Sequence, residues 1–347
     1  MTTEDLSVAL FKTNYLGDSV LFVPVVKEIR RLRPSWRINL VVSPAQAPLF
    51  SGDVGGPDIL SVGPERFKAA WKNPVEAASW CRKLLARKVG ASLVSYDQGS
   101  FAHILARVAG GSIRVGGADL RIRAPTMLTH AVAFADGWSI AQWNWEMART
   151  LLNETGGSGD MASSPPPPTL GHLTGKAPSR PSGVVIHAGS KWTHTRWPLE
   201  RYAELAGRLS RDFAVTWVTV PETRGAEIPR EVKSVECADV GQLARVLAGA
   251  QLFIGNNSGP MHLANALGTP VVAITGPSAP EWNPQWWTDR TVVLRTPGLR
   301  CAPCDRKQYS PGFCANAEEP VACLRRITVD FVESQGRELL NRTCAGT

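Results

Sequence analysis

The sequence lacks the long apolar runs of membrane proteins and the leader of exported ones. Its 347 residues are 44% hydrophobic and 20% charged, a composition typical of soluble globular chains. No stretch approaches the roughly 20 apolar residues that a membrane span needs. The start, MTTEDLSVALF, has neither the basic segment nor the apolar core of a signal peptide. We therefore expect a cytoplasmic protein, with a length that favours two domains.

The sequence also has no motif of a nucleic-acid-binding domain, although its net charge is +8. One basic stretch, KEIRRLRPSWR at residues 27–37, admits two interpretations. It either faces an anionic membrane surface or is the solvated end of a helix. We expect no nucleic-acid partner, and a protein that is cytoplasmic or peripheral on the inner face of the membrane.

Short apolar runs alternate with helical patterns along most of the chain, for example SVALFK at residues 7–12. This alternation is typical of βα units with a buried parallel sheet. It stops at a stretch rich in Gly, Ser and Pro, which predicts a linker at 161–183 between domains at 1–160 and 184–347. We predict two Rossmann-like α/β domains that face a central cleft, with ligands beyond the carboxyl ends of the strands.

A polar turn interrupts two apolar runs in QLFIGNNSGPMHLANALGTPVVAITGPS, residues 251–278. A polar turn that opens a helix is a ready anion site, since the helix N-terminus carries partial positive charge. A diphosphate is the natural occupant, and the alternative is a merely capped helix with a buried histidine. The candidate ligand-binding residues here are Asn257, Ser258, Gly259, Pro260 and His262.

Two further stretches follow predicted strands. In NYLGDS, we expect Gly17 to allow a tight turn and Asp18 to lie at a helix start, together with Asn14 as a substrate-binding candidate. An acidic residue there also stabilises a helix without any catalytic role. In HAGSKWTHTRWP, cationic and hydroxyl side chains suit a phosphate or leaving group. The candidates in this second stretch are His187, Ser190, Lys191, Thr195 and Arg196.

Four of the seven cysteines, Cys301, Cys304, Cys314 and Cys323, lie within 23 residues. Four thiolates with turn residues between them suit a tetrahedral iron or zinc site, which would be structural because no position stays open for catalysis. The alternative is a group of free thiols. We predict this metal-binding insertion at about residues 301–323 of the C-terminal domain.

Together these stretches resemble the bacterial heptosyltransferase family of glycosyltransferases, glycosyltransferase family 9. The most specific likeness lies in IGNNSGPMHLANALGTPVVAITGPS and EWNPQWW, and LGDSVLFVPVVKEIRR and HAGSKWTHTRWPLERYAELAGRL add to it. The resemblance implies a GT-B fold, no catalytic metal, and inverting transfer of heptose from ADP-heptose to a hydroxyl acceptor such as lipopolysaccharide core or a protein. It implies Asp18 as the general base and the turn at Ser258 and Gly259 as the diphosphate site.

Two positions depart from the family pattern. The family usually has Asp where this chain has Asn257, and Lys before the RWP-like tripeptide where this chain has Thr195. Arg196, Lys191 or His194 could replace that lysine, or the donor could be a different sugar nucleotide. Two other functions therefore stay open: a nucleotide-sugar epimerase of the same architecture, and a non-catalytic sugar-binding or scaffold protein.

Overall fold

The structure is a computed structural model of the chain, and it describes residues 5–52, 56–63, 72–96, 98–118, 127–175, 181–304, 313–314 and 316–344. The chain divides into two compact units, Met1–Pro168 and Thr169–Thr347. No helix of the described residues is both long enough and apolar enough to cross a membrane.

The first unit is a parallel sheet with helices on its faces. Its strands lie in the order β3-β2-β1-β4-β5-β6. Its elements, in chain order, are β1 (Ser7–Lys12), α1 (Leu16–Val20), α2 (Val23–Leu32), β2 (Arg37–Val42), β3 (Asp58–Ser61), α3 (Pro74–Leu85), β4 (Ala91–Val94), α4 (Ser100–Val108), β5 (Ile113–Gly117), β6 (His130–Val132) and α5 (Ile140–Glu154). Every residue of β1 and β4 is buried, as expected for central strands covered on both faces.

The sequence pattern predicts an amphipathic helix from about Val20 to Arg33, and α2 (Val23–Leu32) confirms it, although a short helix, α1, replaces the turn expected before it. The structure has two helices, α1 and α2, separated at Leu21 and Phe22. Pro24 is the physical reason, because it has no N–H to bond the carbonyl of Val20. The break ends α1 soon after Asp18, so this residue lies in a short helix of its own.

Part of the predicted linker packs on the first unit. The indole Nε1 of Trp145 on α5 donates to the carbonyl of Ala162 at 2.8 Å, and the side chain of Gln142 donates to the carbonyl of Ser163 at 2.9 Å. These contacts tie the start of the predicted linker to α5. Residues 176–180 of the predicted linker lie outside the described residues.

The second unit repeats the same architecture. Its sheet has the order β12-β11-β10-β7-β8-β9, and all its strands are parallel. Its elements, in chain order, are α6 (Gly171–Thr174), β7 (Val184–His187), α7 (Leu199–Leu209), β8 (Val215–Thr219), β9 (Lys233–Glu236), α8 (Val240–Ala248), β10 (Leu252–Asn256), α9 (Gly259–Ala266), β11 (Val271–Ile274), β12 (Thr291–Leu294), α10 (Ala322–Arg325) and α11 (Val329–Cys344). Its core includes three fully buried aromatic side chains, Trp197, Tyr202 and Trp217.

Counted from the first strand of each unit, both sheets have the strand order 3-2-1-4-5-6. This is the doubly wound order, in which ligands bind beyond the carboxyl ends of the two strands where the order reverses. The reversal lies between β1 and β4 in the first unit, and between β7 and β10 in the second. The prediction of two Rossmann-like α/β units of GT-B type is confirmed.

Candidate active site

The candidate residues lie at these reversal points in both units. In the first unit, residues 13–18 follow β1 and residues 95–98 follow β4. In the second, residues 188–197 follow β7 and residues 257–259 follow β10. The sequence places most of these residues in polar loops, and the sheet order brings each pair of loops to the same edge.

Asp18 lies in the first turn of α1, and its side chain is 13% exposed. Its Oδ1 accepts a hydrogen bond from the phenolic hydroxyl of Tyr96, and it lies 4.0 Å from Nζ of Lys12. A partly exposed carboxylate at a helix N-terminus, with one oxygen held by the protein, is suited to accept a proton from a bound hydroxyl group.

Lys12, which sequence reasoning missed, and Tyr96 contact Asp18 on the protein side. Lys12 is completely buried, a rare position for an ammonium group unless it is paired. Its Nζ donates to the hydroxyl of Ser95 at 3.1 Å and lies 4.4 Å from the ring centroid of Tyr96. A lysine at the end of a strand that is otherwise apolar was the signal in the sequence.

Asn14 connects two loops at this edge of the sheet, and Gly17 does not form the turn expected of it. The buried amide oxygen of Asn14 accepts from Nε2 of Gln98 at 2.9 Å, and Oε1 of Gln98 accepts from the amide of Thr13 at 2.6 Å. Asn14 thus joins the loop after β1 to the loop after β4. Gly17 is a buried helical residue of α1, not a turn residue, since its backbone does not have a positive φ.

His187 is the last residue of β7 and is 5% exposed. Burial lowers its pKa from 6.5 to about 4, although the charge of Glu222 and local backbone groups act in the opposite direction. The imidazole is therefore neutral near pH 7. Its Nδ1 has no hydrogen-bond partner among the described residues.

The loop after β7 is held by its own polar side chains. The hydroxyl groups of Ser190 and Thr195 are 2.6 Å apart, and Thr195 also donates to the carbonyl of Trp192 at 2.7 Å. Nε of Arg196 donates to the carbonyl of Ser190 at 2.6 Å, so this guanidinium braces the loop from inside. Lys191 is exposed, and its Nζ lies 4.9 Å from the ring centroid of Trp192. Lys191 is thus the better placed of the two cations to meet a phosphate.

Asn256, at the end of β10, joins both ends of that loop, and sequence reasoning missed its role. Its side chain is fully buried. Its Oδ1 accepts from the amide of Trp197 at 2.9 Å, and its Nδ2 donates to the carbonyl of Ala188 at 2.8 Å. The loop after β7 is therefore fixed to the strand that leads into α9.

The next residues form the start of α9. Ser258 is its N-cap in an extended conformation, but its hydroxyl makes no capping hydrogen bond. That hydroxyl is buried from solvent and has no hydrogen-bond partner among the described residues. Gly259 and Pro260 begin the helix, and His262 lies in its first turn, 4% exposed. An unpaired hydroxyl beside the first N–H groups of a helix provides donors for an anion.

Asn257 turns away from this donor set. Its Nδ2 donates to the carbonyl of Trp282 at 3.0 Å, and its backbone amide donates to Ile274 at 3.2 Å. Farther along α9, Oδ1 of Asn265 accepts from the amides of Gln285 and Trp286 at 3.1 and 2.9 Å. The two asparagines thus fix the segment EWNPQWW against α9.

Arg295 is a second cation that sequence reasoning missed, and it follows β12. Its guanidinium donates to the carbonyl of Ser278 and, at 2.8 Å, to Oδ1 of Asn283. Partial burial lowers the pKa of Arg295 from its ordinary value, while Glu281 acts in the opposite direction. The group remains charged near pH 7, and it braces the loop that follows β11.

The four predicted cysteines line one cavity, together with His194 of the loop after β7 and Pro277 of the loop after β11. Burial raises the pKa of Cys323 to about 12, and the charges of Cys304, Cys314 and Cys301 add to this effect. Within the described residues, no three His, Cys, Asp or Glu side chains are arranged to hold a metal ion. Residues 305–312 and 315 of the predicted metal-binding insertion lie outside the described residues.

The chain is similar to known proteins in both sequence and fold. Residues 165–312 match the sequence model of glycosyltransferase family 9 (heptosyltransferase). Lipopolysaccharide heptosyltransferase 1 of Pseudomonas aeruginosa is 25% identical over 96% of this chain and 98% of its own length. In fold, the chain is similar to E. coli heptosyltransferase WaaC with ADP-2-deoxy-2-fluoro heptose, with a TM-score of 0.70, 19% identity, and coverage of 96% and 99% of the two chains.

A third likeness concerns a metalloprotein. The iron-containing dodecameric glycosyltransferase TibC of enterotoxigenic E. coli H10407 has a TM-score of 0.58 and 18% identity, with coverage of 99% of this chain and 78% of that one. At this identity the likeness shows the fold alone. The sequence matches support a glycosyltransferase, in which residues 165–312 are similar to glycosyltransferase family 9 (heptosyltransferase).

Proposed function

We propose that the protein transfers a heptose from ADP-heptose to a hydroxyl acceptor, with inversion at the anomeric carbon. The names of its relatives support the donor, since one is a lipopolysaccharide heptosyltransferase and another was solved with an ADP-heptose analogue. The observation that carries the proposal is the unpaired, buried hydroxyl of Ser258 at the start of α9, because it leaves a donor group where a diphosphate would bind.

The second unit holds the donor in this proposal. Ser258, Gly259 and the first turn of α9 bind the diphosphate, because helix N-terminal N–H groups favour negative charge. Lys191 supplies the positive charge that the usual family lysine supplies elsewhere, and His187 and His262 contribute as neutral hydrogen-bonding groups. Thr195 and Arg196 maintain the shape of the loop. Asn257 anchors the segment that contains Trp282.

The first unit holds the acceptor and the base. Asp18 takes the proton of the acceptor hydroxyl as the acceptor oxygen forms its bond to the anomeric carbon. The bond from that carbon to the diphosphate breaks at the same time, and its electron pair leaves on ADP. Removal of a positioned general base typically reduces the rate by about 100- to 10,000-fold. No catalytic metal takes part in this proposal.

The acceptor is a hydroxyl of lipopolysaccharide core, as the name of the closely matching Pseudomonas relative suggests. A lipid-linked acceptor at the inner face of the cytoplasmic membrane gives the basic stretch at 27–37 a role on an anionic surface. In the structure, Arg30 of this stretch bonds the carbonyls of Pro34 and Trp36, and Arg31 bonds Glu28. Arg31 and Arg37 are exposed cations of this stretch, and we propose that they face lipid.

We also propose that the four clustered cysteines hold a structural iron or zinc ion. The fit rests on donor chemistry, because four soft sulfur groups line one cavity and suit either metal. The ion would join the loop after β12 to α10, and it would have no open position for substrate. His194 and Pro277 at the cavity wall connect this region to the loops near α9.

The test compares ADP-heptose, ADP-glucose and UDP-N-acetylglucosamine for binding and slow hydrolysis by the wild type and Asp18→Asn. We expect ADP-heptose to bind both proteins with similar affinity, and only the wild type to release ADP at a substantial rate. If none of the three nucleotides binds, the donor site is wrong. If donor is converted to an epimer without an acceptor, the enzyme is an epimerase instead.

A further inference from the structure

Asp18 is held by residues from two neighbouring strands of the first sheet. Lys12 ends β1, and Tyr96 follows β4, which pairs with β1 in parallel. Both residues contact the same carboxylate oxygen, Oδ1. Among the described residues, the structure gives no hydrogen bond to the other oxygen, Oδ2.

Lys12 has an environment that favours this arrangement. Its side chain is fully buried, and a buried ammonium group requires both hydrogen bonds and an opposite charge to offset the lost hydration. The Ser95 hydroxyl provides a hydrogen bond at 3.1 Å, and the Tyr96 ring provides a negative π face at 4.4 Å. Asp18 provides the opposite charge, with Oδ1 at 4.0 Å. The lysine therefore favours an Asp18 side chain that is turned toward it.

Tyr96 is fixed by packing rather than by its hydroxyl alone. It is 1% exposed, and its ring stacks on Trp143 with centroids 5.5 Å apart and an interplanar angle of 25°. Trp143 is fixed in turn, because its Nε1 donates to the carbonyl of Val132 at 2.9 Å. The direction of the Tyr96 hydroxyl is therefore set before any substrate binds.

We propose that Lys12 and Tyr96 are positioning residues that hold Oδ1 of Asp18, so that Oδ2 is the atom that takes the acceptor proton. This inference rests on the proposed function of Asp18 as the base. In the step, the acceptor O–H bond breaks and its proton goes to Oδ2. The freed electron pair forms the bond to the anomeric carbon, and the carbon–diphosphate bond breaks with its pair leaving on ADP.

The principal test is Tyr96→Phe, which removes the hydroxyl and keeps the ring stack. We expect kcat to fall about 10- to 100-fold, the usual range for one hydrogen bond to a charged group, with the donor KM and the affinity for ADP unchanged. Tyr202→Phe is the matched control, because it also removes a buried tyrosine hydroxyl, and that hydroxyl has no hydrogen-bond partner among the described residues. We expect the control to keep wild-type kcat.

A double-mutant cycle separates positioning from a purely structural role. In single-turnover assays with excess enzyme, Tyr96→Phe should cause no further loss of rate in an Asp18→Asn background, because its effect passes through the carboxylate. Lys12→Met should behave in the same way, and its melting temperature shows whether it folds. Lys12→Arg, which keeps the charge, should retain more activity than Lys12→Met.

Two results would overturn the inference. One is an additive loss of rate when Tyr96→Phe is combined with Asp18→Asn, and the other is a wild-type kcat in Tyr96→Phe. A wrong assignment of Asp18 as the base would give another result, because Asp18→Asn would then retain full activity. An inactive Asp18→Asn beside a fully active Tyr96→Phe would refute the positioning role and leave the base assignment intact.

Discussion

The side-chain nitrogen of Asn257, Nδ2, donates a hydrogen bond to the carbonyl oxygen of Trp282 at 3.0 Å. This contact accounts for an asparagine rather than an aspartate at this position, because an aspartate carboxylate has no hydrogen to donate. The residue that precedes Ser258 is therefore committed to holding the segment around Trp282. The departure is a change in how the site is supported, and it is compatible with an intact diphosphate site.

Asn257→Asp tests this interpretation directly. The carboxylate would face the Trp282 carbonyl without a hydrogen between them, which should cost about 1–3 kcal/mol in the free energy of unfolding. We expect a lower melting temperature and a raised donor KM, measured by thermal unfolding and steady-state kinetics. Tighter donor binding in Asn257→Asp would show instead that position 257 contacts the donor directly.

Asn256→Ala should loosen the loop after β7. The substitution leaves the Trp197 amide and the Ala188 carbonyl without their partner, at a cost of about 1–3 kcal/mol for each buried group that stays unsatisfied. We expect faster amide hydrogen exchange in residues 188–197 and weaker ADP binding. Asn39→Ala is the control, since Asn39 is equally buried and donates to the carbonyl of Val8 in the first unit. That variant should lose stability with no effect on ADP affinity.

The lowered pKa of His187 makes the free energy of unfolding depend on pH within a defined range. Its pKa is about 4 in the folded protein against 6.5 when exposed, so the unfolded chain binds more protons between these values. The stabilisation from the neutral, buried imidazole is complete above pH 6.5 and is lost as pH falls to about 4. It amounts to about 3 kcal/mol at most. The free energy of unfolding of the wild type and of His187→Gln, measured with urea from pH 4 to 7.5, should depend differently on pH within this range. Parallel plots of this free energy against pH would contradict the prediction.

The cysteine cluster should determine the metal content of the protein. We expect the purified wild type to contain about one iron or zinc per chain, and Cys323→Ser to lose it and melt at a lower temperature. Cys237→Ser is the control, because Cys237 is half-buried but does not line the cavity. Elemental analysis provides the measurement. A metal-free wild type with reactive thiols would show that the cysteines are free.

The sequence alone predicted the two parallel α/β units, because buried parallel strands are continuous apolar runs and the polar loops between them stand out. The same reasoning located Asp18, Ser258 and the cysteine cluster. It failed at Gly17, which was expected in a turn and lies inside the short helix α1. A glycine after a strand is typical of a turn, and local pattern does not show that it lies in a short helix instead.

Residue types and their order in the chain thus determined the fold class and the polar loops that surround the candidate site. Tertiary structure alone decided which loops meet. Lys12 and Tyr96 are 84 positions apart in the chain, and they reach one carboxylate because β1 pairs with β4. Asn256 binds the loop after β7 for the same reason, since β10 pairs with β7. Strand pairing depends on the packing of the whole sheet, and so do burial and the pKa of His187.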